Sequence, residues 1–266
     1  MDPAVLVTGA SSGIGAASAE LLCARGFRVY GTSRHPEGRS TPPGVRWLAM
    51  DVRDEASVRD AVARVLADAG RLDAAVCNAG NGIFGSVEDV TLELAKEQFE
   101  TNFFGTLRTL RAVLPPMRER GSGRIVVVGS LAGRAPIPFQ AHYSASKAAL
   151  DALVLALRNE LHGTGVAVSL VEPGDVSTPF NDAMTWIDPG DSAYGEGARR
   201  VEKVVRESLP RAPGPEVVAR QIHRALTARR PRVRYTAGAD AWLVPLGRRL
   251  LPDCLSLRMI RSHFGL

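Results

Sequence analysis

The sequence predicts an α/β fold: a doubly wound, mostly parallel sheet flanked by helices, forming one domain over residues 1–266. Two patterns carry that reading. Short apolar runs alternate with amphipathic stretches of helical length, the signature of βαβ units. A glycine-rich turn stands where the first apolar run gives way to the first helix. The composition agrees, since 45% hydrophobic and 23% charged residues leave ample material for a core.

In chain order, Ala4–Thr8, Arg28–Ser33, Val45–Met50, Leu72–Asn78, Arg124–Ser130 and Val166–Glu172 read as buried strands, each too short and too continuously apolar for a surface helix. A helix follows the first turn as far as Arg25. Asp54–Ala69 predicts a second helix: Asp54 is a capping residue, Val58, Val62, Val65 and Leu66 recur at helical spacing, and Gly70 ends it. A further helix runs from Tyr143 to Leu161, with Leu150, Leu153, Val154, Leu157 and Leu161 on an apolar face. Asn181–Leu209 shows no strand period and reads as a mobile flap, about 180–210, before the break Arg211-Ala-Pro-Gly-Pro215. Too little chain follows for a second domain, so about 231–266 is expected to be a basic C-terminal extension.

The net charge of +5 is unevenly placed. Residues 1–210 carry 22 basic and 25 acidic side chains, whereas residues 211–266 carry 11 and 3. The basicity is therefore a property of the C-terminal fifth. There it reads as a solvated face, as a weak membrane-surface contact in which Leu243, Val244, Leu246, Leu250 and Leu251 interleave with Arg248 and Arg249, or, last, as a nucleic-acid surface. No recognition motif accompanies the charge, so nucleic acid is not an expected partner. Cys23, Cys77 and Cys254 are isolated, and the five histidines show no ligand spacing, so neither a disulfide framework nor a metal site is expected. His142, beside Tyr143, reads as a loop residue, with a contact to substrate as the alternative. No charged leader or long apolar run precedes the first strand pattern, which makes the cytoplasm the expected compartment.

The first apolar run enters Thr8-Gly9-Ala10-Ser11-Ser12-Gly13-Ile14-Gly15. Glycine permits a tight turn and a close backbone approach to a pyrophosphate, and a helix N-terminus offers free N–H groups and the positive end of a dipole. Placed between strand and helix, the motif predicts dinucleotide binding.

Here the sequence resembles the short-chain dehydrogenase/reductase family, whose pattern is Thr-Gly-x-x-x-Gly-x-Gly on a Rossmann fold. Further matches follow in order. Asp51-Val52 stands where the family contacts adenine. Asn78-Ala79-Gly80 closes the fourth strand, and Asn102 lies mid-helix in Thr101-Asn102-Phe103-Phe104-Gly105. Ser130 ends the fifth strand, Tyr143 and Lys147 form Tyr-x-x-x-Lys, and Pro173-Gly174-x-Val176-x-Thr178 follows the sixth strand. The resemblance implies a catalytic set of Asn102, Ser130, Tyr143 and Lys147. It implies a cofactor site at Gly9, Ser11, Ser12, Gly13, Ile14, Gly15, Arg34, Asp51, Val52, Asn78, Ala79, Gly80, Tyr143, Lys147, Pro173, Gly174, Val176 and Thr178.

The second strand ends Thr32-Ser33-Arg34, without the carboxylate that holds a ribose 2′-hydroxyl in NAD enzymes. Arg34 suits a 2′-phosphate instead, predicting NADP(H); the resemblance adds Ser12 or Ser11 as a phosphate partner. The alternative is a solvated loop arginine.

Carbonyl reduction needs a hydride donor, a proton source and polarisation of the oxygen. Tyr143 is the proton source. Lys147, four residues on, shares its helix face and is expected to lower its pKa. It is also one of only three lysines, with Lys96 and Lys203, among 33 cationic residues. Ser130 donates to the substrate oxygen, and the resemblance gives Asn102 a relay water. Each residue alone has an ordinary structural reading; together, in this order, they predict an enzyme.

Phe180, Met184, Trp186, Ile187 and Tyr194 of the flap predict an apolar lining. With Gly31-Thr32-Ser33-Arg34, Arg120-Gly121-Ser122-Gly123-Arg124 and the tail around Arg230–Tyr235, the chain looks like the branch holding 17β-hydroxysteroid and retinol dehydrogenases. The resemblance implies a ketone/alcohol or aldehyde/alcohol oxidoreductase acting on a lipophilic small molecule such as a steroid or retinoid, and a homodimer or homotetramer. The alternatives are a polyketide- or fatty-acyl-type ketoreductase and a non-catalytic NADP-binding sensor or scaffold.

Overall fold

The computed structural model describes residues 2–38, 42–238, 247 and 250–266. Its sheet has seven strands. In chain order these are β1 (Ala4–Val7), β2 (Arg28–Ser33), β3 (Arg46–Ala49), β4 (Ala74–Cys77), β6 (Gly123–Val128), β7 (Val166–Pro173) and β9 (Arg234–Ala237). Their spatial order is β3-β2-β1-β4-β6-β7-β9, with every neighbouring pair parallel. Two-residue strands β5 (Ile83–Phe84) and β8 (Thr185–Trp186) pair separately.

Alternation along each strand builds two cores. On one face, Leu6, Ala75, Ile125 and Val127 meet Val62 and Val65 of α2 (Glu55–Ala69), Leu110, Val113 and Met117 of α4 (Gly105–Glu119), and Leu150, Val154 and Leu157 of α5 (Ala141–Glu160). On the other, Val5, Val7, Val76 and Val126 meet Ala19 and Leu22 of α1 (Gly13–Ala24) and Val218, Ile222 and Leu226 of α7 (Glu216–Thr227). Each large side chain so buried contributes about 1.5–3 kcal/mol. Helix α2 forms as its sequence dictates. The Asp54 carboxylate accepts from Ala56 N–H at 2.9 Å, and Gly70 ends the helix with φ 71°.

The structure corrects four expectations. Arg234–Ala237, read as basic tail, is the seventh strand: Tyr235 and Ala237 are buried while Arg234 and Thr236 are half-exposed. The expected flap holds regular structure, namely β8 and the helix α6 (Gly195–Ser208). It is tied to the body where Thr185 N–H donates to Gly82 O, Ile187 N–H to Phe84 O, and the Ser192 hydroxyl to Asp89 at 2.9 Å. Ser130 lies two residues beyond β6, where its side chain caps the single 3-10 turn Leu131–Gly133. The last helix, α8 (Asp253–Phe264), folds back against α6 and does not trail as an extension. Leu243, Val244, Leu246, Arg248 and Arg249 lie outside the described residues. One helix in the order above remains, α3 (Leu92–Phe99), which leads into a π-helical turn at Glu100–Phe104.

Candidate active site

Open parallel sheets bind ligands beyond the carboxyl ends of their strands, where the strand order reverses. Here β1 is that switch point, flanked by β2 and β4. A cavity of about 680 Å³ lies there, extending from the glycine turn past Tyr143 to the flap.

The turn is built by close packing. Gly9 and Gly13 have φ of +64° and +53°, conformations that favour glycine. A Cβ on Gly15 would stand 2.1 Å from the Gly9 carbonyl oxygen, so this glycine sits against the turn and does not line the cavity. The Asn78 amide donates to the carbonyls of Thr8 and Gly9, while the Thr8 hydroxyl accepts from Asn78 and Ala79 N–H. The β4 turn thereby clamps the β1 turn. No side chain caps the N-terminus of α1, and its first turn holds no acidic residue. Its free N–H groups and dipole end therefore stay open to an anion, as a pyrophosphate requires.

Ser11, Ser12, Gly13 and Ile14 line the cavity beside this helix end, and Arg34, Asp51, Val52, Ala79 and Gly80 line it nearby. Arg34 is exposed at the end of β2. Sequence reasoning missed Arg53, whose guanidinium holds the Asp51 carboxylate at 2.7 Å. That hydrogen bond, helped by the charge of Arg34, keeps the Asp51 carboxyl below the usual range. On the far wall, Pro173 ends β7, and Gly174, Val176 and Thr178 follow it. Gly174 N–H donates to Ala237 O at 2.9 Å, so the unforeseen strand β9 positions this loop.

Tyr143 and Lys147 lie one turn apart on α5, both on the cavity, with the ammonium 5.7 Å from the phenol ring centre. Lys147 donates to the Val128 carbonyl at 2.9 Å. Burial pushes its ammonium down to about 8. Burial also pushes the Tyr143 phenol up, opposed by its hydrogen bond with Ser130. Ser130 also accepts from Ala132 N–H at 3.1 Å, which fixes its rotamer.

Asn102 does not line the cavity. It is fully buried on the π-helical turn, a local form common near functional sites. Its oxygen accepts from Asn81 N–H at 2.9 Å; its amide donates to Asn81 O and to the Ser146 hydroxyl. The Asn102 side chain thus pins the chain after Gly80, one helix turn behind Tyr143. The turn into α5 carries strain at Phe139, a bulky residue with φ of 61°. Gly85 N–H holds its carbonyl at 2.8 Å.

The other end of the cavity is apolar. Phe180 stands 5.8 Å from the Tyr143 ring, and Ile137, Ala183, Val204, Val205 and Phe264 continue the wall. His142 is absent from it, whereas His263 of α8 is present. A hydrophobic cluster of Phe84, Met184, Ala198 and Val201, with Trp186 4.7 Å from Phe84, supports this wall from behind.

A parallel sheet with a glycine turn at its switch point, and beside it a half-buried Ser130 and Tyr143 with a buried Lys147, defines a nucleotide-dependent oxidoreductase. A family model described as short chain dehydrogenase matches residues 3–186. The chain belongs to the short-chain dehydrogenase/reductase family. It is 36% identical to a 3-ketodihydrosphingosine reductase of Bacteroides thetaiotaomicron over 265 residues, covering 98% of each chain. It is 38% identical to the 17-beta-hydroxysteroid dehydrogenase type 1 of Homo sapiens over 272 residues, covering 94% of this chain and 81% of the other. Among solved structures, a short-chain dehydrogenase from Streptomyces avermitilis superposes with a TM-score of 0.83 at 34% identity, covering 99% and 96%. One from Burkholderia cenocepacia in complex with NADP gives 0.77 at 26%, covering 97% of each.

Proposed function

We propose that the protein is an NADP(H)-dependent oxidoreductase that interconverts a ketone and a secondary alcohol, or an aldehyde and a primary alcohol, on a lipophilic substrate such as a steroid or retinoid. The observation that carries the substrate class is the apolar wall of Phe180, Val204, Val205 and Phe264 on the side of the cavity that Tyr143 faces. The lining of the cofactor end fits a dinucleotide: the glycine turn and the uncapped α1 take a pyrophosphate, Asp51 and Val52 the adenine side, and Ser12 and Arg34 a 2′-phosphate. When bound, the nicotinamide supplies or accepts the hydride.

The chain's own groups do the rest. In reduction, Tyr143 gives its phenolic proton to the substrate oxygen, a role suited to a phenol that burial keeps protonated. Ser130 donates a hydrogen bond to the same oxygen and takes up its developing charge. Lys147 supplies positive charge behind the pair while below about pH 8. Asn102 positions the Asn81 segment, and a relay water held there is part of the same reading.

A second reading has its own support. The Bacteroides relative, a 3-ketodihydrosphingosine reductase, matches end to end, which favours a ketone on a long acyl-type chain. A non-catalytic NADP-binding role is disfavoured by retention of the whole Ser-Tyr-Lys set. NADPH oxidation against steroid, retinoid, long-chain β-keto and sugar carbonyls separates the three. Turnover on the first two classes supports the first reading, turnover on the third the second, and silence on all a binding role. A homodimer or homotetramer with a contact across α4 and α5 is part of the proposal, since Phe104 and Leu155 stand exposed beside and on these helices. The cytoplasm remains the expected compartment. Among the described residues no helix is long and apolar enough to cross a membrane.

A further inference from the structure

Helix α8 is attached to the body by a narrow stripe: Ser256 is buried and Ile260 and Phe264 half-buried, at four-residue spacing, while the other residues of the helix are exposed. Among the described residues, five of the ten large apolar side chains left exposed belong to 250–266: Leu250, Leu255, Leu257, Met259 and Leu266. Such a concentration marks an interaction surface. Arg258 and Arg261 are exposed among them. Leu255, Met259, Arg258, Ser262 and His263 line a shallow groove along the helix, and His263 also lines the main cavity. His263 thus stands between the surface groove and the apolar end of the main cavity.

We propose that the outer face of α8 docks on an anionic lipid bilayer, with the mouth of the cavity beside it. Charge selects the occupant. A second copy meeting this face would set Arg258 and Arg261 against their like, with Asp253 the one acidic residue of the helix. An anionic surface complements it. The exposed Leu and Met side chains suit the interface between headgroups and acyl chains, and nucleic acid makes no use of them. The advantage of this placement, that a substrate partitioned into lipid reaches the Phe264 end of the cavity without crossing water, rests on the lipophilic-substrate reading. The docking itself does not.

The test is co-sedimentation of the full chain with vesicles of phosphatidylcholine alone and of an equal mixture with phosphatidylglycerol, at low and high salt. Binding to the mixed vesicles that salt reverses is expected. Both Arg258→Glu/Arg261→Glu and Leu255→Asp/Met259→Asp should weaken it roughly tenfold or more. These four side chains lie outside the main cavity, so the far-UV circular dichroism and Tm of both variants should match the parent and certify their fold. The proposal is overturned if mixed vesicles leave the protein in the supernatant at low salt, or if both folded variants bind as the parent does. It also falls if the variants change the oligomeric state in sedimentation velocity while vesicle binding is unchanged. No readout of binding uses the substrate, so silence in the carbonyl screen leaves this result standing.

Discussion

Lys147 donates its ammonium proton to the Val128 carbonyl at 2.9 Å, on the strand end that leads to Ser130, and not to Tyr143 on its own helix. The lysine therefore ties α5 to the end of β6 and so fixes the separation of Tyr143 and Ser130, the two groups proposed to meet the substrate oxygen. Arginine at this place would bring a larger, planar cation into a site built for a compact one.

That contact sets a pH dependence. Burial holds Lys147 near 8 against an ordinary 10.5, so it is charged below about pH 8 and neutral above. The kcat/KM for NADPH, which reports the free enzyme, is expected to fall as pH rises through that value. Between 8 and 10.5 the unfolded chain binds this proton more readily, so the same group makes stability rise with pH over that window. A flat rate profile from pH 6 to 10 contradicts the role of Lys147, as measured by initial rates in overlapping buffers.

Removing the phenolic proton should stop chemistry without emptying the site. Tyr143→Phe is expected to lower kcat by about 10²–10⁴-fold while NADPH fluorescence titration is unchanged. Ser130→Ala should cost about 10²-fold in kcat through the lost hydrogen bond to the oxygen. Near-parental turnover in the tyrosine variant would falsify the mechanism.

Cofactor preference tests Arg34. Arg34→Ala is expected to lower kcat/KM for NADPH by about tenfold or more and to leave NADH nearly unaffected, because only NADPH carries the 2′-phosphate. Equal losses with both cofactors would place Arg34 outside the phosphate site.

Gly15 tests the turn. Its Cβ would meet the Gly9 carbonyl at 2.1 Å and the Asn78 amide nitrogen at 2.6 Å. Gly15→Ala should lower Tm and abolish saturable NADPH binding, since relief of the clash separates the two clamped turns. Parental values of both in a thermal scan and a titration would show that the turn can open.

A partly buried ion cluster, centred on Glu172, joins β7 to β9 behind the loop at Gly174. Glu172 is 1% exposed; Arg234 reaches it at 3.1 Å and also binds Asp151. Burial raises the Glu172 carboxyl despite the two arginines, Arg234 and Arg134, that oppose it. Arg234→Met should destabilise the fold by about 3 kcal/mol, because it strands a buried charge, and Glu172→Gln in the same chain should recover part of that loss. Urea denaturation of the single and double variants measures both; additive losses would deny the coupling.

Much of the fold was legible because strand burial and helix capping are local. The six apolar runs are strands within two residues at their ends, and Asp54 and Gly70 bound α2 as read. The Tyr143–Lys147 pair, Ser130 and the glycine turn were legible as spacing. Arg234–Ala237 was not, because an edge strand needs only two inward residues, and its three flanking arginines masked them. The His263 wall left no sequence signal, since it comes from a distant helix; Arg53 stands two residues from Asp51 and Phe139 is strained in its own backbone, but both are set by local loop geometry that residue types do not spell out.

The sequence by itself determined the doubly wound fold and the glycine turn at its switch point, because strand burial, helix capping and the turn are each written in runs of a few neighbouring residues. Tertiary structure alone decided which residues share a cavity. It set Asn102 behind the site, brought β9 to hold Gly174, closed the flap on Phe84 and returned α8 to the cavity mouth. These are contacts across many tens of residues, fixed by core packing and not by local pattern. The C-terminal basicity was visible as composition from the start. Only the fold showed that its last helix stands beside the substrate end of the site.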